Sequence, residues 1–333
     1  MAYSHVSTTG NNTQDPPIVG ELQAIFNELP DEELLTRLKG PRRRGRPGYE
    51  PVILWRCYVA YYVLGLASVS DLVRTLHDNP YIADVCGVHT REGIPSQPTF
   101  SRFISKLAKQ KYKGLVNQVM HGLTRRLWET LPDFAKSVAV DATDLKAWSH
   151  SGKKTPTDKD AGWVVKSDTA GKKKFVWGFK LTLLVDTTHE LPVALKVTKG
   201  NTPEQKAFST VLAQARWINH KFHPEYVIAD KGYSSEALRR IVRRQYRAQP
   251  IIKTNLGHKR ALRLYKETAE WQLIYNRRSA IERVFSRLKG HRKLNSIRVR
   301  GIWKVYIHCL MSVIAMEAQA VATGSCALMR KVA

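Results

Sequence analysis

Val138-Ala139-Val140-Asp141-Ala142-Thr143 is a short apolar run that ends in an acid, and Tyr226-Val227-Ile228-Ala229-Asp230 is a second. Runs of this length, rich in β-branched residues and bounded by turn formers, read as buried strands. Between them, Phe175 to Asp186 and Leu191 to Val197 read as two strands joined into a hairpin by Thr187-Thr188-His189-Glu190. Thr202-Pro203-Glu204-Gln205 has the form of a capping box with proline at the first helical position, and the helix it opens carries the stripe Phe208, Val211, Leu212, Ala215 and Ile218. After Asp230, Ser235 is placed to cap a helix with Leu238, Ile241 and Val242 inward and Arg239, Arg240, Arg243 and Arg244 outward. Pro250 to Thr254 is a further strand, Arg277 to Leu288 a strong helix and Val305 to Val321 a closing one. The order strand, hairpin, helix, strand, helix, strand, helix defines an α/β fold, a mixed central sheet with helices on both faces.

Strands ending in Asp141 and Asp230 bring both carboxylates to the carboxyl edge of such a sheet, where α/β sites gather. Glu282 is the best third acid. At about 100° per residue, Tyr275, Arg278, Glu282 and Lys289 fall within an arc of about 60°, beside the apolar stripe Ile281, Val284, Phe285 and Leu288. Three carboxylates near a core raise one another's pKa unless cations join them, and all-oxygen ligation suits Mg²⁺ or Mn²⁺. Two such ions about 4 Å apart can activate a water or a 3′-hydroxyl on one side of a phosphate and stabilise the leaving oxygen on the other. Arg278 and Lys289 would supply phosphate contacts. Taken singly, an acid at a strand end is more often a turn residue and a Glu four residues after an Arg more often a surface pair; the conjunction is what carries weight.

The amino-terminal half has a different character. Residues 1 to about 18 are polar, and Leu22 to Leu38 forms a short amphipathic helix. The segment Gly40-Pro41-Arg42-Arg43-Arg44-Gly45-Arg46-Pro47-Gly48 is excluded from helix and strand by its glycines and prolines. Its Arg44-Gly45-Arg46-Pro47 core resembles an AT-hook, whose arginines follow an A·T minor groove; a solvated linker is the equal alternative. Trp55, Tyr58, Val59, Tyr62, Val63 and Leu66 recur at helical spacing, Ser70 is placed to cap a helix through Leu76, and Pro98 opens another. That last helix sets Phe100, Phe103, Ile104 and Leu107 against Arg102, Lys106 and Lys109, and Leu115 to Leu131 continues the helical pattern. Residues 50–131 fit a helix-turn-helix whose basic helix enters a DNA groove, or equally an all-helical packing module with a solvated basic rim.

The whole chain has 333 residues with 54 Lys+Arg against 28 Asp+Glu, a net charge of +26, and 43% hydrophobic residues. It is long and apolar enough for about two domains of ~100–200 residues. Such charge implies a polyanionic partner, with nucleic acid ahead of an anionic membrane. Cys57, Cys86, Cys309 and Cys326 show no paired spacing, which suits a reducing compartment and argues against a disulfide framework or a structural zinc. The amino terminus lacks a signal-peptide pattern, and the two most apolar stretches are interrupted by Arg56 and by Lys304, His308 and Glu317, so no bilayer span is expected.

Tyr275-x2-Arg278-x3-Glu282-x6-Lys289 matches without a gap the Tyr-Arg-Glu-Lys signature of bacterial insertion-sequence transposases with an Asp-Asp-Glu active site. Val140 to Thr143 resembles that family's first-Asp strand, Ala229-Asp230-Lys231-Gly232-Tyr233 its second-Asp block, and Thr99 to Phe103 its N-terminal helical domain. The resemblance implies a ribonuclease-H-like catalytic core preceded by an all-α DNA-binding domain. It divides the chain into 1–49 (flexible terminus, short helix and basic arm), 50–131 (helical DNA-binding domain), 132–322 (catalytic domain) and 323–333 (tail). Asp141, Asp230 and Glu282 become ligands of two Mg²⁺, with Mn²⁺ as a substitute. Tyr275, Arg278 and Lys289 become contacts to the element's end, with Arg44, Arg46, Arg102 and Lys106 as further DNA contacts. The implied activity is cleavage at terminal inverted repeats and joining of the freed 3′-hydroxyls to target DNA, by a homodimer on double-stranded DNA in the bacterial cytoplasm at the nucleoid. Only 51 residues separate Asp230 from Glu282, which is short for members that carry a β-rich insertion there. The alternatives are a catalytically silent or co-opted DNA-binding protein and a metal-dependent nuclease of the same fold.

Overall fold

The computed structural model describes residues 16–40, 48–152, 155–167, 173–254 and 268–332. The basic hinge with Arg44 and Arg46 lies outside the described residues. The chain divides into two compact units: one formed by residues through 123 with 291–296 and 310–333, the other by 124–290 with 297–309.

The first unit is helical. The single helix expected over Leu22 to Leu38 is two, α1 (Pro17–Asn27) and α2 (Glu32–Lys39). Pro30 separates them, because proline has no N–H to donate and disfavours helix at the residue before it. In α3 (Pro51–Val63) Trp55, Tyr58 and Tyr62 are buried, and the Tyr58 hydroxyl donates to the Phe100 carbonyl at 3.2 Å. Arg292 closes the end of α3, donating from Nη1 to the carbonyls of Tyr62 at 3.0 Å and Val63 at 2.7 Å. Helix α4 (Val69–Asp78) is capped by Ser68, not Ser70: Ser68 Oγ accepts from Asp71 N at 3.1 Å and donates to its carboxylate. After α5 (Pro80–Val85), α6 (Gln97–Leu107) carries Pro98 in its first turn and buries Phe100, Phe103, Ile104 and Leu107, as the spacing predicts. Helix α7 (Gln110–Thr130) follows.

Among the described residues the second unit is built on six strands: β1 (Ser137–Lys146), β2 (Gly162–Ser167), β3 (Lys173–Asp186), β4 (Pro192–Lys199), β5 (Tyr226–Ala229) and β6 (Gln249–Ile252). They form one mixed sheet in the order β2-β3-β1-β5-β6, with β4 also on β3. The pairs of β3 with β1, β2 and β4 are antiparallel, and β5 pairs in parallel with both β1 and β6. Consecutive residues Leu183, Leu184 and Val185 and Val193, Ala194 and Leu195 are all buried, so both faces are covered. Four helices pack on the strands: α8 (Gln205–Ile218) on β3 and β4, α9 (Glu236–Tyr246) on β6, α10 (Ala269–Asn276) on β5 and β6, and α11 (Ser279–Gly290) on β1 and β3.

Several expectations change. Strand β2 forms in a polar, Lys- and Gly-rich segment without a strand pattern of its own, its Trp163 opposite Trp177 and Val165 opposite Phe175. The capping box at Thr202 does not form, and the Glu204 side chain pairs instead with Lys180 at 3.1 Å. Arg239 is buried rather than outward, donating to the Ile252 carbonyl at 2.9 Å and Thr254 Oγ1 at 3.2 Å beyond the end of β6. Helix α12 (Ile302–Val332) contains a stretch, Ile302–Gly324, long and apolar enough to cross a membrane; 83% of its apolar window is buried within the protein.

Gly178 is required where β1 passes β3. A Cβ there would stand 1.9 Å from the Leu145 carbonyl oxygen and 2.9 Å from Ala147 N, both backbone atoms in the ladder that positions Asp141. Gly178→Ala is expected to lower stability by about 1–3 kcal/mol, the usual range for overpacking a close-packed site. A thermal melt that leaves the midpoint unmoved would show that the ladder can yield there.

Candidate active site

The parallel register of β1 and β5 decides where the acids stand. Val140 pairs with Ala229, the last residue of β5, so Asp141 and Asp230 each follow directly from that pair. Asp141 is not at the end of its strand, as the sequence suggested. Its antiparallel partner continues past it, pairing Asp141 with Leu183 and running on to Lys146 opposite Gly178. Asp230 does follow the last residue of β5, where its Oδ1 accepts from Gly232 N at 2.8 Å and its carbonyl accepts from Tyr233 N at 3.2 Å.

The third acid arrives on α11. Tyr275 and Glu282 do not share one helix: Tyr275 belongs to α10, and the chain turns at Arg277 and Arg278 before α11 begins. The turn brings Arg278 between two acids. Its Nη1 donates to Asp141 Oδ2 at 3.2 Å, and its Nη2 donates to Glu282 Oε1. Lys289, in the last turn of α11, donates to Thr143 Oγ1 at 2.5 Å, two residues along β1 from Asp141. Tyr275 stacks on Trp271 with ring centres 5.0 Å apart, and Lys253 Nζ lies 5.5 Å from its ring centre. Arg278 thereby links Asp141 with Glu282, and Lys289 reaches the Asp141 strand at Thr143.

Helix α11 is oriented from below by a residue the sequence reading assigned no role. Glu190, in the hairpin turn between β3 and β4, accepts from Arg283 Nε at 2.6 Å and Arg287 Nη2 at 3.0 Å, while its carbonyl accepts from Arg287 at 2.7 Å. The three cationic residues on the acid-facing and clamp sides of α10 and α11 therefore act mainly on protein carboxylates in this structure.

Burial raises the Asp141 carboxyl to about 6; the Ala142 N–H opposes this, the neighbouring Asp230 charge adds to it and Arg278 opposes it. Burial likewise raises the Tyr275 phenol, so it remains a neutral donor. Among the described residues no group of three or more His, Cys, Asp or Glu side chains is arranged to hold a metal ion. The donor chemistry nonetheless suits a hard divalent cation: the carboxylates of Asp141, Asp230 and Glu282 are oxygen ligands, with a buried, unpartnered tyrosine hydroxyl, that of Tyr233, in the turn after Asp230.

The predicted DNA contacts outside this cluster fare differently. Arg102 is exposed on α6 and its Nη2 donates to Thr99 Oγ1 at 3.3 Å. Lys106 is half-buried and donates to the Leu38 carbonyl at 3.0 Å, closing α2. Glu204, Glu190, Lys253 and Tyr233 were not singled out as site residues from sequence. Tyr233 alone carried a signal, its place in the Asp230 block.

Compared with known proteins, residues 133–317, more than half of the chain, match the transposase DDE domain. The chain belongs to the DDE transposase family. Residues 13–106 of this transposase also match a second transposase domain. No curated protein matches the chain. Among solved structures, a piggyBac transposase synaptic complex with hairpin DNA is similar at 10% identity and a TM-score of 0.45, over 93% of this chain and 75% of that one.

The raised Asp141 pKa has a consequence for stability in the transposase without metal. A carboxyl that holds its proton to about 6 when folded and to about 3.9 when unfolded favours folding only while protonated. Its contribution is full below the unfolded value, falls as pH rises to 6, and is absent above. Asp141→Asn is therefore expected to raise stability in EDTA at pH 7.5 by about 1–3 kcal/mol, less whatever the Arg278 contact contributes, and to change it little at pH 4. Melts at the two pH values check this; a destabilised variant at both contradicts it.

Proposed function

We propose that this transposase is a Mg²⁺-dependent enzyme of the bacterial insertion-sequence type, which binds the terminal inverted repeats of its element, cleaves at their ends and joins the 3′-hydroxyls to target DNA. The observation that carries this reading is that Asp141 and Asp230 directly follow the paired residues Val140 and Ala229, with Glu282 tied to Asp141 through Arg278. The strand order β4-β3-β1-β5-β6, three antiparallel strands followed by two parallel ones, supports a ribonuclease-H-like core. The net charge of +26 supports a nucleic-acid partner.

Asp141, Asp230 and Glu282 would hold the divalent cations, Mg²⁺ or in its place Mn²⁺. When bound, these activate a water or a 3′-hydroxyl and stabilise the departing oxygen. The chain's own residues provide the rest. Arg278 holds the carboxylates in place and can turn its fork to a phosphate once they are neutralised by cations. Lys289, fixed by Thr143, and Tyr275, stacked between Trp271 and the Lys253 ammonium, face the DNA end beside the scissile phosphate. Residues 132–322 form the catalytic domain, with 323–333 as a tail. Residues 50–131 form the DNA-binding domain, with Arg102 and Lys106 as its contacts, and Arg44 and Arg46 in the arm within 1–49 follow the duplex. Two ends are cut in concert by a homodimer on the DNA, at the nucleoid of the bacterial cytoplasm.

Asp141→Asn, Asp230→Asn and Glu282→Gln are each expected to abolish Mg²⁺-dependent cleavage of terminal-repeat DNA while duplex binding persists, measured by gel cleavage and mobility shift. Wild-type rates in any one of them remove that residue from the site. The same DNA carrying a free 3′-hydroxyl should be joined to a target by the native protein; cleavage without joining would identify a nuclease. Binding should fall steeply with salt, by a log–log slope of about −0.9 for each phosphate neutralised. A flat dependence contradicts a phosphate-led interface.

A further inference from the structure

Tyr233 is fully buried at the end of the short 3₁₀ turn that follows Asp230. Its ring packs on Phe208 of α8, with centres 5.5 Å apart. Its hydroxyl is buried and has no hydrogen-bond partner. A phenol orphaned in this way carries an unrecovered desolvation penalty, and such groups are rare enough to demand a reason. The surroundings give one. The Asp230 carbonyl accepts from Tyr233 N, and Asp230 and Asp141 directly follow the paired residues Ala229 and Val140, so the turn holds Tyr233 at the acids; burial first, and then the charges of Asp141, Glu204 and Asp230, push the phenol's pKa upward, so it keeps its proton.

We propose that Tyr233 is a positioning residue for the acid cluster, its hydroxyl donating to the Asp141 carboxylate when divalent cations draw Asp141, Asp230 and Glu282 together. This rests on the reading of those acids as cation ligands. Without cations, the charge holding Asp141 and Glu282 is Arg278. A guanidinium competes with a divalent cation for the same oxygens, whereas a neutral phenol does not. A neutral donor from the buried side can therefore fix the carboxylate's orientation while leaving its charge to the metal, the arrangement by which ligating carboxylates are ordinarily oriented. The Asp230 turn makes the placement rigid, because the carboxylate of Asp230 accepts from Gly232 N and the Asp230 carbonyl accepts from Tyr233 N. Glu204, held by Lys180, is a further acid whose charge raises both Asp141 and Tyr233.

The test is Tyr233→Phe in the full chain, which keeps the ring against Phe208 and removes only the hydroxyl. In EDTA its melting temperature should equal or exceed that of the native protein, since no hydrogen bond is lost. Titration with Mn²⁺, followed by the electron paramagnetic resonance of the free ion, should show an affinity weakened by about 10–100-fold, the usual effect of losing such a support. DNA cleavage should slow over the same range while DNA affinity in Ca²⁺ stays unchanged. Asp230→Asn serves as the reference. If it loses Mn²⁺ binding while Tyr233→Phe binds Mn²⁺ and cleaves like the native protein, the role of Tyr233 is overturned and the acid site stands. If Asp230→Asn binds Mn²⁺ like the native protein, the acid site itself is wrong, and Tyr233 falls with it. A lower melting temperature of Tyr233→Phe in EDTA would mean the hydroxyl has a structural partner, which also overturns the proposal.

Discussion

Two aspartates that directly follow the paired residues of neighbouring parallel strands repel one another unless positive charge reaches them. The second unit is organised around that constraint. The β1–β5 register sets Asp141 beside Asp230, and the long antiparallel partner β3 keeps Asp141 in mid-strand, where burial raises its pKa. Arg278 supplies the charge, but only because the chain turns between α10 and α11. Helix α11 is held in turn by Glu190, which grips Arg283 and Arg287 from the hairpin between β3 and β4. A turn with no chemistry of its own thus fixes where Glu282 stands.

Much of this was legible in the residues. The apolar runs at Val138 and Tyr226, the β3–β4 hairpin and the stripe from Phe208 to Ile218 depend on local pattern and burial, and each forms as the pattern requires. What failed depended on partners distant in sequence. Asp141 looked like a strand terminus because its run turns polar, yet pairing with β3 carries the strand to Lys146. Strand β2 was hidden in a Lys- and Gly-rich segment and exists because Trp163 and Val165 face Trp177 and Phe175. A helical wheel placed Tyr275 and Glu282 on one surface. They do converge, but through a turn rather than a single helix. Arg239 read as solvent-facing because its neighbours are arginines; the uncapped end of β6 draws it inward. Tyr233 sat in a recognisable block, but nothing local distinguishes a packing tyrosine from one whose hydroxyl meets no partner.

The site holds opposed demands. Burying Asp141 costs stability even with Arg278 against it, and under the proposed function bound divalent cations would repay that cost. The basic excess of this transposase divides accordingly. Arg278, Arg283, Arg287 and Lys289 hold protein oxygens, whereas exposed residues such as Arg102, Lys173 and Lys174 remain directed to solvent.

The most direct measurement is anomalous diffraction from crystals of the full chain grown with a terminal-repeat duplex and Mn²⁺. The expected result is Mn²⁺ density shared by Asp141 and Asp230, with Glu282 released from Arg278 and turned toward the ions. Mn²⁺ bound elsewhere, with Arg278 still holding both Asp141 and Glu282 against the DNA, would contradict it.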